Sequence, residues 1–110
     1  MQGACSNQVV KCIVYTSDFE LGLEQLSKIE KEKNGSGIKT IKKRISKYYT
    51  EIALDDGEEW IIVIPNDGAR GYRWRKAYVD FKNTTLEQLR LIIEPCGNLY
   101  QWEDYKLFNT

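Results

Sequence analysis

The chain has no histidine, one methionine and two prolines in 110 residues, and its 16 Lys plus Arg are matched by 16 Asp plus Glu. Each scarcity excludes something. Without histidine there is no Ser-His-Asp triad, no Cys-His dyad and no imidazole metal ligand. Without net charge, the molecule as a whole has no electrostatic pull toward DNA or an anionic membrane, so any affinity for an anion must come from local clustering. No run of about 18 apolar residues is present to span a bilayer. The N-terminus also lacks the basic start and apolar stretch of a signal peptide, so a cytoplasmic location is expected, with no membrane partner. Cys5, Cys12 and Cys96 are odd in number and lack metal-ligand spacing, which makes them free thiols packed as small hydrophobes.

What is present is enough for one core. The chain is 42% hydrophobic and 12% aromatic, which fits one domain over residues 1–110, with 1–7 as a loose tail. The apolar, β-branched run VVKCIVY predicts a buried first strand. Ser17 with Glu20 forms a capping box for an amphipathic helix that carries Phe19, Leu23, Leu26 and Ile29 and ends at Asn34-Gly35. GIKTIKKRIS and YYTEIALDDGEEWIIVIP predict strands, the latter pair joined by a turn at Asp55-Asp56-Gly57. IIVI, apolar on both faces, predicts a strand covered on both sides and stopped by Pro65. WRKAYVDF predicts a further strand. Thr84 with Glu87 forms a capping box for a second helix that turns Leu86, Leu89, Ile92 and Ile93 inward. The aromatic segment LYQWEDYKLF is a last strand or a packed tail. The expected fold is α/β (α+β), a mixed, mainly antiparallel sheet with two helices packed against it.

Three segments bear on function. Gly35-Ser36-Gly37-Ile38-Lys39-Thr40 superficially resembles a phosphate loop, but it follows a helix instead of a strand and Ile38 separates the lysine from the glycine, so it is rejected. Lys39, Lys42, Lys43, Arg44 and Lys47 form a basic run with no acid between Lys33 and Glu51. It reads either as a lysine-protected edge strand or as an anion-binding face, with the acidic turn Asp55, Asp56, Glu58 and Glu59 offsetting its charge nearby.

The third segment is the strongest. Between Asn66 and Asp80, Arg70, Arg73, Arg75 and Lys76 are interleaved with Tyr72, Trp74 and Tyr78. Guanidinium groups fork onto phosphate oxygens and planar rings stack on bases, while Gly68 and Gly71 permit close backbone approach. Alternation places Arg73, Arg75, Ala77 and Val79 on one strand face and Trp74, Lys76, Tyr78 and Asp80 on the other. The predicted ligand-binding residues are therefore those of the loop, Arg70, Gly71, Tyr72, Arg73, Trp74 and Arg75. No catalytic residue, metal ligand or cofactor is predicted.

The order of elements resembles part of the ATPase core of phage terminase large subunits over residues 9–80. A strand and helix (Val9 to Lys33) precede a hairpin of the form Ile52, Leu54, Asp56, Gly57. An Arg70-Gly71 pair and an apolar strand, Ala77, Tyr78, Val79, then lead to Asp80. The resemblance implies that Asp80 corresponds to the magnesium-holding acid of the Walker B strand. The phosphate loop is missing, and Phe81 stands where that family carries its catalytic glutamate, so no ATP hydrolysis is expected. A stripped nucleotide-binding scaffold of phage or prophage origin is implied, similar in size and chemistry to small phage proteins that sequester nucleotide signals of bacterial immunity.

These readings lead to a non-enzymatic protein that captures a nucleotide or nucleotide-derived signalling molecule, a phage counter-defence sponge, assembled as a homodimer or higher homo-oligomer. No specific nucleic acid is expected as a partner. Two alternatives stand beside it: a protein-interaction module, inhibitor or adaptor, using the same Arg, Trp and Tyr surface, and a metal-dependent nuclease or phosphodiesterase using Asp80 with Asp55, Asp56 or Glu58.

Overall fold

The computed structural model describes residues 9–47, 49–97 and 105–110. The expected loose tail and the first part of the aromatic C-terminal segment lie outside the described residues. Six strands form one sheet: β1 (Val10–Tyr15), β2 (Thr40–Ile45), β3 (Thr50–Leu54), β4 (Glu58–Val63), β5 (Lys76–Asp80) and β6 (Tyr105–Phe108). Their spatial order is β2–β3–β4–β1–β5–β6. The sheet is mixed, as expected. Its β2–β3–β4 meander is antiparallel, whereas β4, β1, β5 and β6 run parallel to their neighbours. Antiparallel neighbours need only the short turns at 46–49 and 55–57, and parallel neighbours need crossovers.

Two helices cover the two faces. Helix α1 (Phe19–Gly35) packs Leu26 and Ile29 against Cys12, Val14, Trp60, Ile52 and Leu54. The second helical stretch, α2, comprises Leu86–Gln88, a π-helical turn Leu89–Ile93 and Glu94–Cys96. It packs Ile92, Ile93 and Cys96 against Ile13, Tyr15, Val63, Ala77 and Val79. Odd and even positions of β1 thus serve different cores, and the sheet is the middle of three layers. The prediction that β4 is covered on both sides holds, since Ile61 packs into one core and Ile62 into the other. Among the described residues no helix is long and apolar enough to cross a membrane.

The helix starts differ from the sequence expectation by one residue, both in the C-terminal direction. Asp18, not Ser17, caps α1, its carboxylate accepting from Leu21 N at 3.2 Å. Thr85 and Gln88, not Thr84 and Glu87, form the reciprocal box of α2, with bonds of 3.0 and 2.9 Å. Neighbouring Ser/Asp and Thr/Thr pairs are equivalent as caps, so the choice falls to the register that buries Leu26 and Ile92. In that register Leu86 faces solvent instead of the core. Helix α1 ends at Gly35, as expected from Asn34-Gly35, in a Schellman closure with Ile38 N bonded to Lys33 O and Gly37 N to Asn34 O. Gly37 supplies the left-handed residue at φ 89°, a conformation that costs glycine nothing. Cys12 and Cys96 are buried free thiols, and Cys5 lies outside the described residues.

Candidate functional site

The predicted ligand loop divides on folding. Residues Asp67–Gly71 form a short 3-10 turn that buries Ala69, and β5 begins only at Lys76. Because 72–75 is not strand, the expected alternation fails there. Trp74 turns into the same core as Ala77 and Val79 and is 5% exposed. Its indole N–H donates to Ile93 O at 2.9 Å and its backbone N–H to Cys96 O at 3.0 Å. Arg73 donates to Pro95 O at 3.4 Å. The final carbonyls of a helix have no partner within it, and a cation is favoured there. Residues 73 and 74 therefore cap α2. Gly97 completes the joint, because a Cβ at that position would sit 2.2 Å from the Trp74 ring.

Of the other predicted residues, Arg70 is exposed and 3.6 Å from Asp67 of the same turn. Gly71 closes that turn, and the Arg75 backbone N–H donates to Lys11 O at 2.8 Å, extending the sheet. Of the six, Tyr72 lines a hollow, and it remains 45% exposed. That hollow, about 380 Å³, lies at the carboxyl end of β4. Ile61, Ile62, Val63 and Ile64 line it together with Gly68, Ala69 and Tyr72 and with Lys47 and Tyr49.

Tyr49, missed by the sequence reading, is 40% exposed and lies under the Arg44 guanidinium, 5.9 Å from the ring centroid. Partial burial and then the Glu51 carboxylate raise its hydroxyl above the ordinary phenol value. Tyr72 acts in the same direction and Arg44 against it. The fold thus joins the loop at Tyr72 to the basic run at Arg44 and Lys47, features more than twenty residues apart in sequence. Carboxyl ends of parallel strands are where open α/β sheets take ligands. The only sequence signal for Tyr49 was its place beside the basic run.

The acids lie elsewhere. Asp80 is fully buried at the end of β5, accepting from Thr16 Oγ1 and Asn83 at 2.7 Å and from Asn109 at 2.9 Å. Burial disfavours its charge, but those hydrogen bonds outweigh it and hold the carboxyl below its usual range. Such a carboxylate joins β1, β5 and β6, with its lone pairs already engaged.

Glu58 begins β4, at the opposite end of the parallel strands. It accepts from Trp60 Nε1 at 2.9 Å and pairs with Lys33 at 2.9 Å and Lys76 at 2.5 Å. Burial opposes its ionisation, and Lys76, Lys33 and Trp60 overcome that and lower its pKa. Asp56 also binds Lys33, at 2.9 Å, and Glu59 binds Lys11 at 2.8 Å. The acidic turn therefore does not offset the basic run. Glu51 and Glu30 do so in part, pairing with Lys42 at 3.3 Å and Lys43 at 2.9 Å.

A larger hollow of about 460 Å³ adjoins Glu58, lined by Lys33, Lys76, Lys106, Trp60 and Tyr78. It is the less suited to an external anion, since Lys33 and Lys76 are already paired with Glu58, and Lys33 also with Asp56. Among the described residues no three His, Cys, Asp or Glu side chains gather as a metal set. Comparison with protein-family models, with curated proteins and with solved structures finds no match to this chain.

Proposed function

We propose that this chain is a non-enzymatic binding protein for a nucleotide or nucleotide-derived signalling molecule, and that the ligand is taken up between Tyr49 and Tyr72. The observation that carries the reading is the convergence of two half-exposed phenol rings with Arg44 and Lys47 around an apolar floor. Rings of this kind stack on bases whatever their identity, at about 1–3 kcal/mol per base. Guanidinium and ammonium groups supply the charge-assisted bonds a phosphate needs. The site moves from the loop alone to the junction of loop and basic run, and Trp74 and Arg73 leave it for the cap of α2. Both tyrosines are open to solvent, so enclosing a whole nucleotide calls for a second copy of the chain. Sequestration of such a signal by a phage protein, the role suggested by a likeness in size and chemistry to small phage proteins of that kind, belongs to this same proposal.

Titration calorimetry against a panel of ADP-ribose derivatives and cyclic oligonucleotides tests it. At least one should give heat, and Tyr72→Ala should weaken that binding by about tenfold to a hundredfold, the loss of one stacked ring. Absence of heat from every member at high micromolar ligand overturns the reading.

A further inference from the structure

Among the described residues, strand β2 is the outermost strand on its side of the sheet, with β3 its one neighbour. Nearly every residue along it is exposed. Such an edge offers a row of unpaired backbone groups, and the hydrogen-bond pattern says which. Ser46 N donates to Tyr49 O at 2.8 Å, closing the turn between β2 and β3. In an antiparallel ladder, bonded and non-bonded pairs alternate. Counting back from Ser46, the pairs Ile45 with Thr50 and Lys43 with Ile52 are non-bonded, so the N–H and C=O of Lys43 and Ile45 point away from the sheet.

The side chains fix the kind of strand that fits. Lys39, Lys42, Lys43, Arg44 and Lys47 bring five cations and no acid. Lys42 and Lys43 pair with Glu51 and Glu30, whereas Lys39 and Arg44 make no ion pair among the described residues. Ile41 and Ile45 are 67% and 57% exposed, more apolar surface than a purely protective edge would show. A second copy of β2 laid antiparallel would set one basic triplet against another, which is destabilising.

We infer that β2 is a docking edge for an acidic, extended segment of a partner protein, which adds a seventh strand to the sheet. Backbone bonds to Lys43 and Ile45 supply affinity, acids facing Lys42 and Arg44 set the sign, and an apolar residue covers Ile45. Arg44 serves both surfaces, but the outward backbone groups of Lys43 and Ile45 belong to this one alone, so the backbone readout separates the two proposals.

A short synthetic peptide of alternating glutamate and valine is the probe, with binding read by calorimetry and by amide hydrogen exchange in the whole chain. It should bind and slow the exchange of the Lys43 and Ile45 amides. Ile45→Pro removes an outward donor and leaves the inner ladder intact, as proline is tolerated at such a place, and should abolish binding. Lys42→Glu with Arg44→Glu should weaken it by about tenfold or more. If Ile45→Pro does not fold, N-methylation of alternate peptide amides gives the same answer on the wild-type chain. The inference is overturned by no binding, by binding indifferent to N-methylation, by a single-stranded oligonucleotide that protects the same two amides, or by self-association of the chain through β2.

Discussion

Two clusters of lysines and aromatic rings lie at opposite ends of the parallel strands, and they differ in what completes them. Around Glu58, the carboxylate sits between Lys33, Lys76 and the Trp60 indole, and Trp60 in turn packs on Tyr78 at 5.6 Å. Lys33, Lys76 and Glu58 there are paired with one another within the chain. Around Tyr49 and Tyr72, the rings are half exposed, and Arg44 stacks on one of them and makes no ion pair among the described residues. A charge satisfied internally contributes to stability, and a ligand must displace its partner to use it. Unfinished clusters are where affinity for something external is available.

The largest expected effect breaks the first cluster. Glu58→Ala leaves the Trp60 N–H without its acceptor and two ammonium groups facing each other. It should destabilise the fold by about 2–4 kcal/mol, less than for a fully enclosed pair because both lysines reach solvent. Urea unfolding measures this.

Acid probes the same cluster together with Asp80. Both carboxyls are held below their ordinary values in the folded chain. Their stabilisation is therefore complete above the unfolded carboxylate range, near pH 4, and is lost as pH falls through the folded values. Stability should drop below about pH 4, and Asp80→Asn, less stable at neutral pH by about 1–2 kcal/mol, should show a shallower acid limb.

The smallest effect on stability belongs to the second cluster. Tyr72→Ala should lower the unfolding free energy measured in urea by no more than about 0.5 kcal/mol, as befits a half-exposed side chain away from the core. A large loss there would make Tyr72 a structural residue and erase the contrast between the two ends.

Much of the fold was legible because its signals are local. The strand VKCIVY, the stripe Leu26 and Ile29, and the β4 run capped by Pro65 each follow from a period or a breaker within a few residues. The candidate site was legible only in part. Tyr72 belonged to the predicted loop, but Trp74 and Arg73 were claimed by the open end of α2, twenty residues later in the chain. Tyr49 entered only when β3 came beside β4.

The sequence by itself determined which segments are strands and helices and that histidine chemistry is excluded, whereas the single core it suggested is split by the sheet into two. Tertiary structure decided which cap residue each helix uses, which carboxylates are neutralised by which lysines, and which rings stay open to solvent. The physical reason is range. Periodicity and capping act over three or four residues, whereas the fate of a charge or a ring depends on whatever distant segment arrives beside it.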